Sequence, residues 1–65
     1  MVDSLTLCKA QNHKVKLVEE DDTEHIAVLD FYESEWDSGY GVAAVGLTDR
    51  SSFKADEIKS IEILD

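Results

Sequence analysis

The side chains in this 65-residue chain that could bind a soft metal ion are one cysteine and two histidines, namely Cys8, His13 and His25. A structural zinc site takes its ligands in close pairs along the chain, and these three residues form no such pair. Asp21, Asp22 and Glu24 could collect a calcium ion, but the glycine-centred spacing of a calcium loop is absent. The pattern therefore predicts no metal site and no cofactor, and at most weak, non-selective binding of cations by this acidic turn.

Serine and acidic side chains lie close together in the middle of the chain, but they do not form a catalytic pattern. Ser34 and Ser38 have acidic neighbours, whereas a hydrolase needs a base beside its nucleophile and a third group that orients the base. No nucleophile motif, glycine-rich phosphate loop or nucleotide fingerprint occurs. We therefore expect no catalytic residues and a protein that is not an enzyme.

Aromatic and acidic side chains alternate over residues 32–40 in a pattern that suits a protein interface. Three aromatic residues recur at every fourth position with three acids between them: Tyr32, Glu33, Glu35, Trp36, Asp37 and Tyr40. Tryptophan and tyrosine dominate the binding energy of many interfaces, and neighbouring carboxylates favour a basic partner. Glu24 and Asp30 extend this predicted partner-binding surface along the preceding strand. The alternative is that Trp36 plugs the mouth of the core and contacts no partner.

The negative charge of the chain is concentrated in its middle. The formal net charge is −9, from 15 acidic and 6 basic side chains. Residues 17–49 contain ten of these acids and no Lys or Arg. Solvated surfaces usually mix both signs, so the segregation favours a basic protein partner and argues against direct binding of nucleic acid. Taken alone, the acidic run at residues 19–24 is also explained as a solvated turn.

Length and cysteine content indicate one small domain over residues 1–65. A single cysteine, Cys8, excludes an internal disulfide and suits a reducing compartment. The apolar runs are short and the N-terminal residues lack a signal-peptide pattern, so we expect a cytoplasmic protein with no membrane partner. With so few residues, an enclosed active site is not expected.

Residues 24–33 have the clearest strand pattern, because they carry β-branched and aromatic side chains without Gly or Pro. The patterns of hydrophobicity predict five strands, at about residues 4–9, 14–19, 24–33, 40–48 and 58–64. A short helix capped by Asp3 is the alternative for the first of these segments. Gly41 and Gly46 predict bulges or tight bends in the fourth strand.

The closing segment predicts one turn of 3-10 helix at residues 55–57, followed by a strand. Isoleucines and a leucine at residues 58, 61 and 64 also fit a helix, but β-branched residues at alternating positions favour the strand. Five short strands with short turns are typical of a small SH3-like or Sm-like β-barrel, so the predicted class is all-β or mainly β. The predicted core consists of Leu17, Leu29, Phe31, Val45, Phe53, Ile58 and Ile61.

The last quarter of the chain, "Phe53…Ala55-Asp56-Glu57-Ile58…Ser60-Ile61-Glu62", resembles the closing segment of YolD-like proteins and related small bacterial Sm-like barrels. The strand layout before this segment is similar as well. The chain lacks the proline of that segment, and residues 42–45 are smaller than is usual in these proteins. The resemblance implies a small β-barrel, and it implies no function because such barrels have many unrelated roles.

Charge and aromatic content together predict an acidic, non-enzymatic protein-binding module. We expect an inhibitor or adaptor, of the kind found in phages and mobile elements, that engages a basic partner surface, including one that normally binds nucleic acid. In type it is similar to the acidic Sm-like inhibitor of the Rho termination factor. One alternative is an SH3- or Tudor-like reader of basic or methylated peptides that uses Tyr32, Trp36 and Tyr40. Another is a structural barrel that forms homo-oligomers through its edge strands.

Overall fold

A computed structural model describes residues 2–65 as five antiparallel strands in one sheet, with one short helix. The elements in chain order are α1 (Ser4–Ala10), β1 (Lys14–Glu19), β2 (Glu24–Glu33), β3 (Ala44–Leu47), β4 (Ser52–Lys54), a 3-10 turn (Ala55–Glu57) and β5 (Ile58–Ile63). The strand order is β4-β3-β2-β1-β5. The predicted mainly β class and the 3-10 turn are therefore confirmed. Among the described residues no ladder joins β4 to β5, so hydrogen bonding does not close the sheet.

The predicted strand at residues 4–9 is wrong, because this segment is helix α1. Asp3 caps the helix: its Oδ1 accepts a hydrogen bond of 2.8 Å from the backbone N–H of Thr6. The helix places Leu7 and Ala10, three residues apart, against the core and leaves Leu5 exposed. An alternation over only five residues also fits one helical face, and the cap decides between the two structures. No helix within residues 2–65 is long and apolar enough to cross a membrane.

The predicted strand at residues 40–48 is shorter in the structure, and a further strand follows it. Gly39 and Gly41 have φ angles of 81° and 79°, so the chain remains a loop until β3 begins at Ala44. A tight turn follows β3, with the N–H of Leu47 donating to the carbonyl of Ser51 (2.9 Å). The chain then returns as β4, which pairs Phe53 with Val45. Five strands are thus present, but the missed β4 takes the place of the predicted strand at residues 4–9.

A bulge in β2 divides this long strand into two parts that face the core differently. Leu29 pairs with Leu47, whereas Phe31 pairs with Gly46, so β2 carries one more residue than β3 at Asp30. The extra residue reverses the alternation of side chains beyond it. Leu29 is consequently buried, Phe31 is 50% exposed and Tyr32 packs against the core. The predicted core position of Phe31 is therefore wrong.

The core lies between the concave face of the sheet and α1. Five of the seven predicted core residues are buried, namely Leu17, Leu29, Val45, Phe53 and Ile58. Ile61 is half-buried and packs against them. Leu7 and Val15 complete the core from α1 and β1. Each buried leucine or isoleucine side chain contributes about 2 kcal/mol through removal of its apolar surface from water.

Candidate partner-binding site

The loop at residues 34–43, between β2 and β3, is held by its own serines. The backbone N–H groups of Asp37 and Ser38 donate to the carbonyl of Ser34, at 3.1 and 3.0 Å. The hydroxyl of Ser38 donates to the carbonyl of Val42 (2.5 Å) and accepts from the N–H of Tyr40 (3.2 Å). These bonds span both halves of the loop, so its conformation is defined by local hydrogen bonds, and the two serines act as structural groups.

Trp36 lies in the turn that opens this loop and points into solvent. Its side chain is 87% exposed, and Tyr40, four residues later, is 63% exposed. Trp36 therefore does not plug the core. Leaving an indole in water forgoes the burial energy that such a large apolar side chain gains elsewhere. An exposed Trp beside an exposed Tyr is the composition of an interface centre.

Tyr32 has a different environment from the other two aromatic residues of the predicted surface. It is half-buried against the core, and its hydroxyl lies 2.6 Å from Oγ of Ser4 in α1. Its polar end is thus used to join β2 to the helix. Of Tyr32, Trp36 and Tyr40, only Tyr40 lines the groove over β3 and β4 that is described below. The three rings consequently do not surround a common space.

The carboxylates of the predicted surface do not all lie together. Glu33, Glu35 and Asp37 lie together at the end of β2 and in the following turn, next to Trp36. Glu24 lies at the opposite end of β2, about 30 Å of extended chain away, and its Oε1 is 3.5 Å from Nζ of Lys16. Asp30 is exposed at the bulge between them.

The carboxylates near Trp36 form no ion pairs with the described residues. Within residues 2–65, Asp30, Glu33 and Glu35 form no side-chain hydrogen bond or ion pair. Asp37 accepts a hydrogen bond of 3.2 Å from the hydroxyl of Ser34. In contrast, Asp22 in the β1–β2 turn is 2.5 Å from Nζ of Lys59. No ion pair within the described residues therefore compensates the acids near Trp36.

An open groove of about 360 Å³ lies beside the loop, over β3 and β4. Its lining residues are Phe31, Glu33, Tyr40, Ala44, Val45, Ser52, Phe53, Lys54 and Glu57. Nζ of Lys54 lies over the ring of Tyr40, 5.4 Å from the ring centroid. Phe31, Lys54 and Glu57 are not among the site residues that the sequence predicts. The polar Asp30 within an apolar run was the available signal that Phe31 turns outward at a bulge.

A second polar cluster lies away from the loop, around His25. Nε2 of His25 is 2.7 Å from Oε2 of Glu19, and Nδ1 is 3.3 Å from Oδ2 of Asp49. The hydrogen bond with Glu19 raises the pKa of His25; partial burial opposes this effect, and the hydrogen bond with Asp49 adds to it. Hydrogen bonds from Ser51 lower the pKa of Asp49. In the part of the chain that is described, no group of three or more His, Cys, Asp or Glu side chains could hold a metal ion.

Comparison of the chain with protein-family models, with curated proteins and with solved structures finds no match. The resemblance of the last quarter of the chain to YolD-like and Sm-like barrels thus stays a prediction from the sequence. A functional assignment has to come from the geometry and charge of the site itself.

Proposed function

We propose that this protein is a non-enzymatic, acidic protein-binding module, an inhibitor or adaptor, that engages a basic surface of a partner protein. The observation that carries the proposal is the 87% exposure of Trp36 in a turn flanked by Glu35 and Asp37. The neighbouring Glu33 and Glu35 form no ion pair with any residue of the described chain. An uncovered indole and uncompensated carboxylates at one place are both satisfied by a partner that carries cations around an apolar pocket.

The two kinds of side chain have different roles in such a complex. The carboxylates raise the rate of encounter with a basic surface and disfavour acidic partners. Trp36 supplies apolar area that becomes buried on binding, and burial of such an anchor residue acts mainly by slowing dissociation of the complex. A basic surface that normally holds nucleic acid suits these carboxylates, because carboxylates, like phosphates, are anionic acceptors that pair with Lys and Arg.

The bent sheet supplies a rigid support, and we assign it to the small SH3-like or Sm-like barrels. Only the 3-10 turn separates β4 from β5, so the two edge strands of the sheet meet at one corner. At that corner the N–H of Glu20 donates to the carbonyl of Glu57 (3.2 Å). Rigid support lowers the entropy lost on binding. The proposal places the protein in the cytoplasm, where Cys8, which is exposed, stays reduced.

The test is capture of partner proteins on the immobilised protein at low and high salt, with identification by mass spectrometry. Glu33→Lys/Glu35→Lys removes the local charge. Asp56→Lys/Glu62→Lys is the matched control, because it changes the net charge equally at exposed positions outside the loop. We expect at least one basic protein to bind the wild type and the control, and to be lost with the first variant, with Trp36→Ala and in high salt.

Two results would contradict the proposal. If Glu33→Lys/Glu35→Lys retains the same proteins as the wild type, the acids form only a solvated surface. If the only captured protein is the chain itself, and salt leaves its binding unchanged, self-association through the edge strands β4 and β5 is favoured instead.

A further inference from the structure

The groove beside Tyr40 combines aromatic walls with acidic rims. Phe31 and Tyr40 present exposed rings, while Phe53 is buried and forms part of its floor. The carboxylates of Glu33 and Glu57 lie at its edges. Its volume of about 360 Å³ lies within the usual range for ligand sites, about 300–1,000 Å³. The groove is therefore large enough for one long side chain of a partner.

Phe31 is positioned on the outside of the sheet by two features of the backbone. The bulge at Asp30 turns it outward, and on the neighbouring strand it faces Gly46. A Cβ atom added to Gly46 would lie 3.3 Å from Cβ of Phe31, which is a tight contact. The ring therefore packs directly over the backbone of β3. An aromatic wall supported in this way is suited to receive a flat or apolar group against its free side.

A cationic side chain from the protein itself already occupies part of the groove. Nζ of Lys54 is 5.4 Å from the centroid of the Tyr40 ring, within the distance at which a cation is attracted to an aromatic face. Lys54 forms no ion pair within residues 2–65, and Glu57 accepts a hydrogen bond from its backbone N–H rather than from its ammonium group. The lysine side chain is thus held only by the ring, and another cation can replace it.

We infer that this groove binds the side chain of an arginine from the partner, which displaces Lys54 from the ring of Tyr40. A guanidinium is planar and stacks on aromatic faces, and its forked N–H groups match a carboxylate such as that of Glu33. An ammonium group is attracted to an aromatic face, but it is not planar and lacks the paired N–H groups that match a carboxylate. The inference rests on the proposed function, since it specifies which side chain of the basic partner enters the site.

The charge of the surroundings supports a cationic occupant. Two carboxylates and one lysine line the groove, and the loop that carries Tyr40 also contains Glu35 and Asp37. The formal net charge of the chain is −9. Anionic ligands are repelled by this arrangement, and a purely apolar ligand would leave the carboxylate of Glu33 without a partner.

The test uses short synthetic peptides of equal length and charge that differ only in their cation: arginine, lysine or trimethyl-lysine. Their dissociation constants are measured by fluorescence anisotropy with the wild type and with three variants. Tyr40→Leu removes the aromatic face and should weaken binding of the arginine peptide about tenfold. Lys54→Met removes the internal competitor and should tighten binding. Lys9→Met is the matched control, because it removes the same charge from the exposed side of α1.

The arginine peptide should bind the wild type more tightly than the lysine peptide does. Lys54→Met should increase the affinity for the arginine peptide several times more than Lys9→Met does. Equal gains in these two variants would mean that only net charge matters, and they would overturn the inference. Unchanged binding by Tyr40→Leu, in a variant with a wild-type circular dichroism spectrum, would overturn it too. Preference for the lysine peptide would also overturn it, and preference for trimethyl-lysine would favour a reader of methylated peptides instead.

Failure of this inference can be distinguished from failure of the proposed function. If capture of the natural partner depends on Trp36 and on Glu33 and Glu35, but is the same for Tyr40→Leu and Lys54→Met as for the wild type, the module binds without using the groove. If capture of the natural partner does not depend on Trp36, Glu33 and Glu35, the proposed function itself is wrong.

Discussion

Nε2 of His25 lies 2.7 Å from Oε2 of Glu19, and this bond joins the start of β2 to the end of β1. On its other side, Nδ1 of His25 is 3.3 Å from Oδ2 of Asp49, in the turn between β3 and β4. A neutral imidazole has one N–H donor and carboxylates only accept, so both bonds form together only when His25 is protonated. The ring also packs on Phe53, with the two centroids 5.0 Å apart. Protonated His25 therefore links three segments of the sheet.

This cluster predicts that the free energy of unfolding decreases as the pH rises from neutral to alkaline values. The folded state raises the pKa of His25 above its ordinary value of 6.5. A raised pKa stabilises the folded state fully below the unfolded pKa, and this stabilisation is lost as the pH rises through the folded pKa. Urea unfolding from about pH 5.5 to pH 9 measures the effect. Wild type should exceed His25→Gln in stability at the acid end, and the difference should shrink toward the alkaline end.

A difference between wild type and His25→Gln that stays constant over this pH range would contradict the role of the protonated ring. Below this range a second effect takes over, because hydrogen bonds lower the pKa values of Asp3, Asp21, Asp49 and Asp65 in the folded protein. Stability from these carboxylates is present above their unfolded pKa values and is lost as the pH falls through the folded ones. The free energy of unfolding should therefore be highest at mildly acidic pH, above the unfolded pKa values of these carboxylates and below that of His25.

Helix α1 gives a matched pair of leucines for a test of the N-terminal structure. Leu7 is fully buried, whereas Leu5, two residues earlier, is 64% exposed. Leu7→Ala should reduce the free energy of unfolding by about 2–5 kcal/mol, and Leu5→Ala by less than about 0.5 kcal/mol. Asp3→Ala, which removes the cap, should destabilise the protein, but by less than Leu7→Ala does. Similar losses for both leucines in urea unfolding would show that the segment does not pack as this helix.

The sequence predicted β1, β2 and the closing segment better than the short elements α1, β3 and β4, for physical reasons. β1 was predictable because its charged and buried apolar side chains alternate, and β2 because it carries β-branched and aromatic side chains over ten residues without Gly or Pro. α1 is short, so periods of two and 3.6 residues fit its apolar positions almost equally, and only the cap by Asp3 separates them. β4 has three residues, too few for any period to appear. Short elements are specified by tertiary contacts, which a single sequence does not display.

One part of the candidate site was predictable from the sequence and the other part was not. The surface of Trp36, Glu33, Glu35 and Asp37 follows directly from residues that are adjacent in the chain. The groove does not, since Lys54 and Glu57 come from β4 and the 3-10 turn, and Phe31 turns outward only because Asp30 forms a bulge. A bulge changes the side-chain alternation without leaving a strong sequence signal.

Salt should stabilise this protein, because its acidic side chains far outnumber its basic ones. Ten acids and no Lys or Arg lie in residues 17–49, and salt screens the repulsion between exposed charges. The urea midpoint should rise with NaCl concentration, by an amount equivalent to roughly 1 kcal/mol, the sum of several weak pair repulsions. Glu33→Lys/Glu35→Lys should be as stable as the wild type or more stable at low salt. A midpoint that falls with NaCl would mean that the ion pairs, such as Lys59 with Asp22, outweigh the repulsion.

Trp36 offers a direct measurement of the electric field around the proposed binding surface. It is the only tryptophan in the chain, so all indole fluorescence reports on this loop. Because the carboxylates of Glu33, Glu35 and Asp37 are close to it, caesium ions should concentrate around the ring and iodide ions should be repelled. At an ionic strength of about 10 mM, where the Debye length is about 30 Å, this field is hardly screened. The ratio of caesium to iodide quenching should thus exceed that of free N-acetyltryptophanamide by about twofold or more.

Glu33→Lys/Glu35→Lys should reverse this preference between the two ions, whereas the control Asp56→Lys/Glu62→Lys should preserve most of it, since its changes lie outside the loop. The preference of the wild type for caesium and the reversed preference of the Glu33→Lys/Glu35→Lys variant should both disappear at about 1 M salt, where the Debye length falls to about 3 Å. A ratio equal to that of the free indole at low salt would mean that the acids do not act on Trp36, and the electrostatic part of the proposed function would then fail. If the ratio behaves as expected, addition of the basic partner should protect Trp36 from both ions, because the bound partner covers the ring and neutralises the surrounding carboxylates.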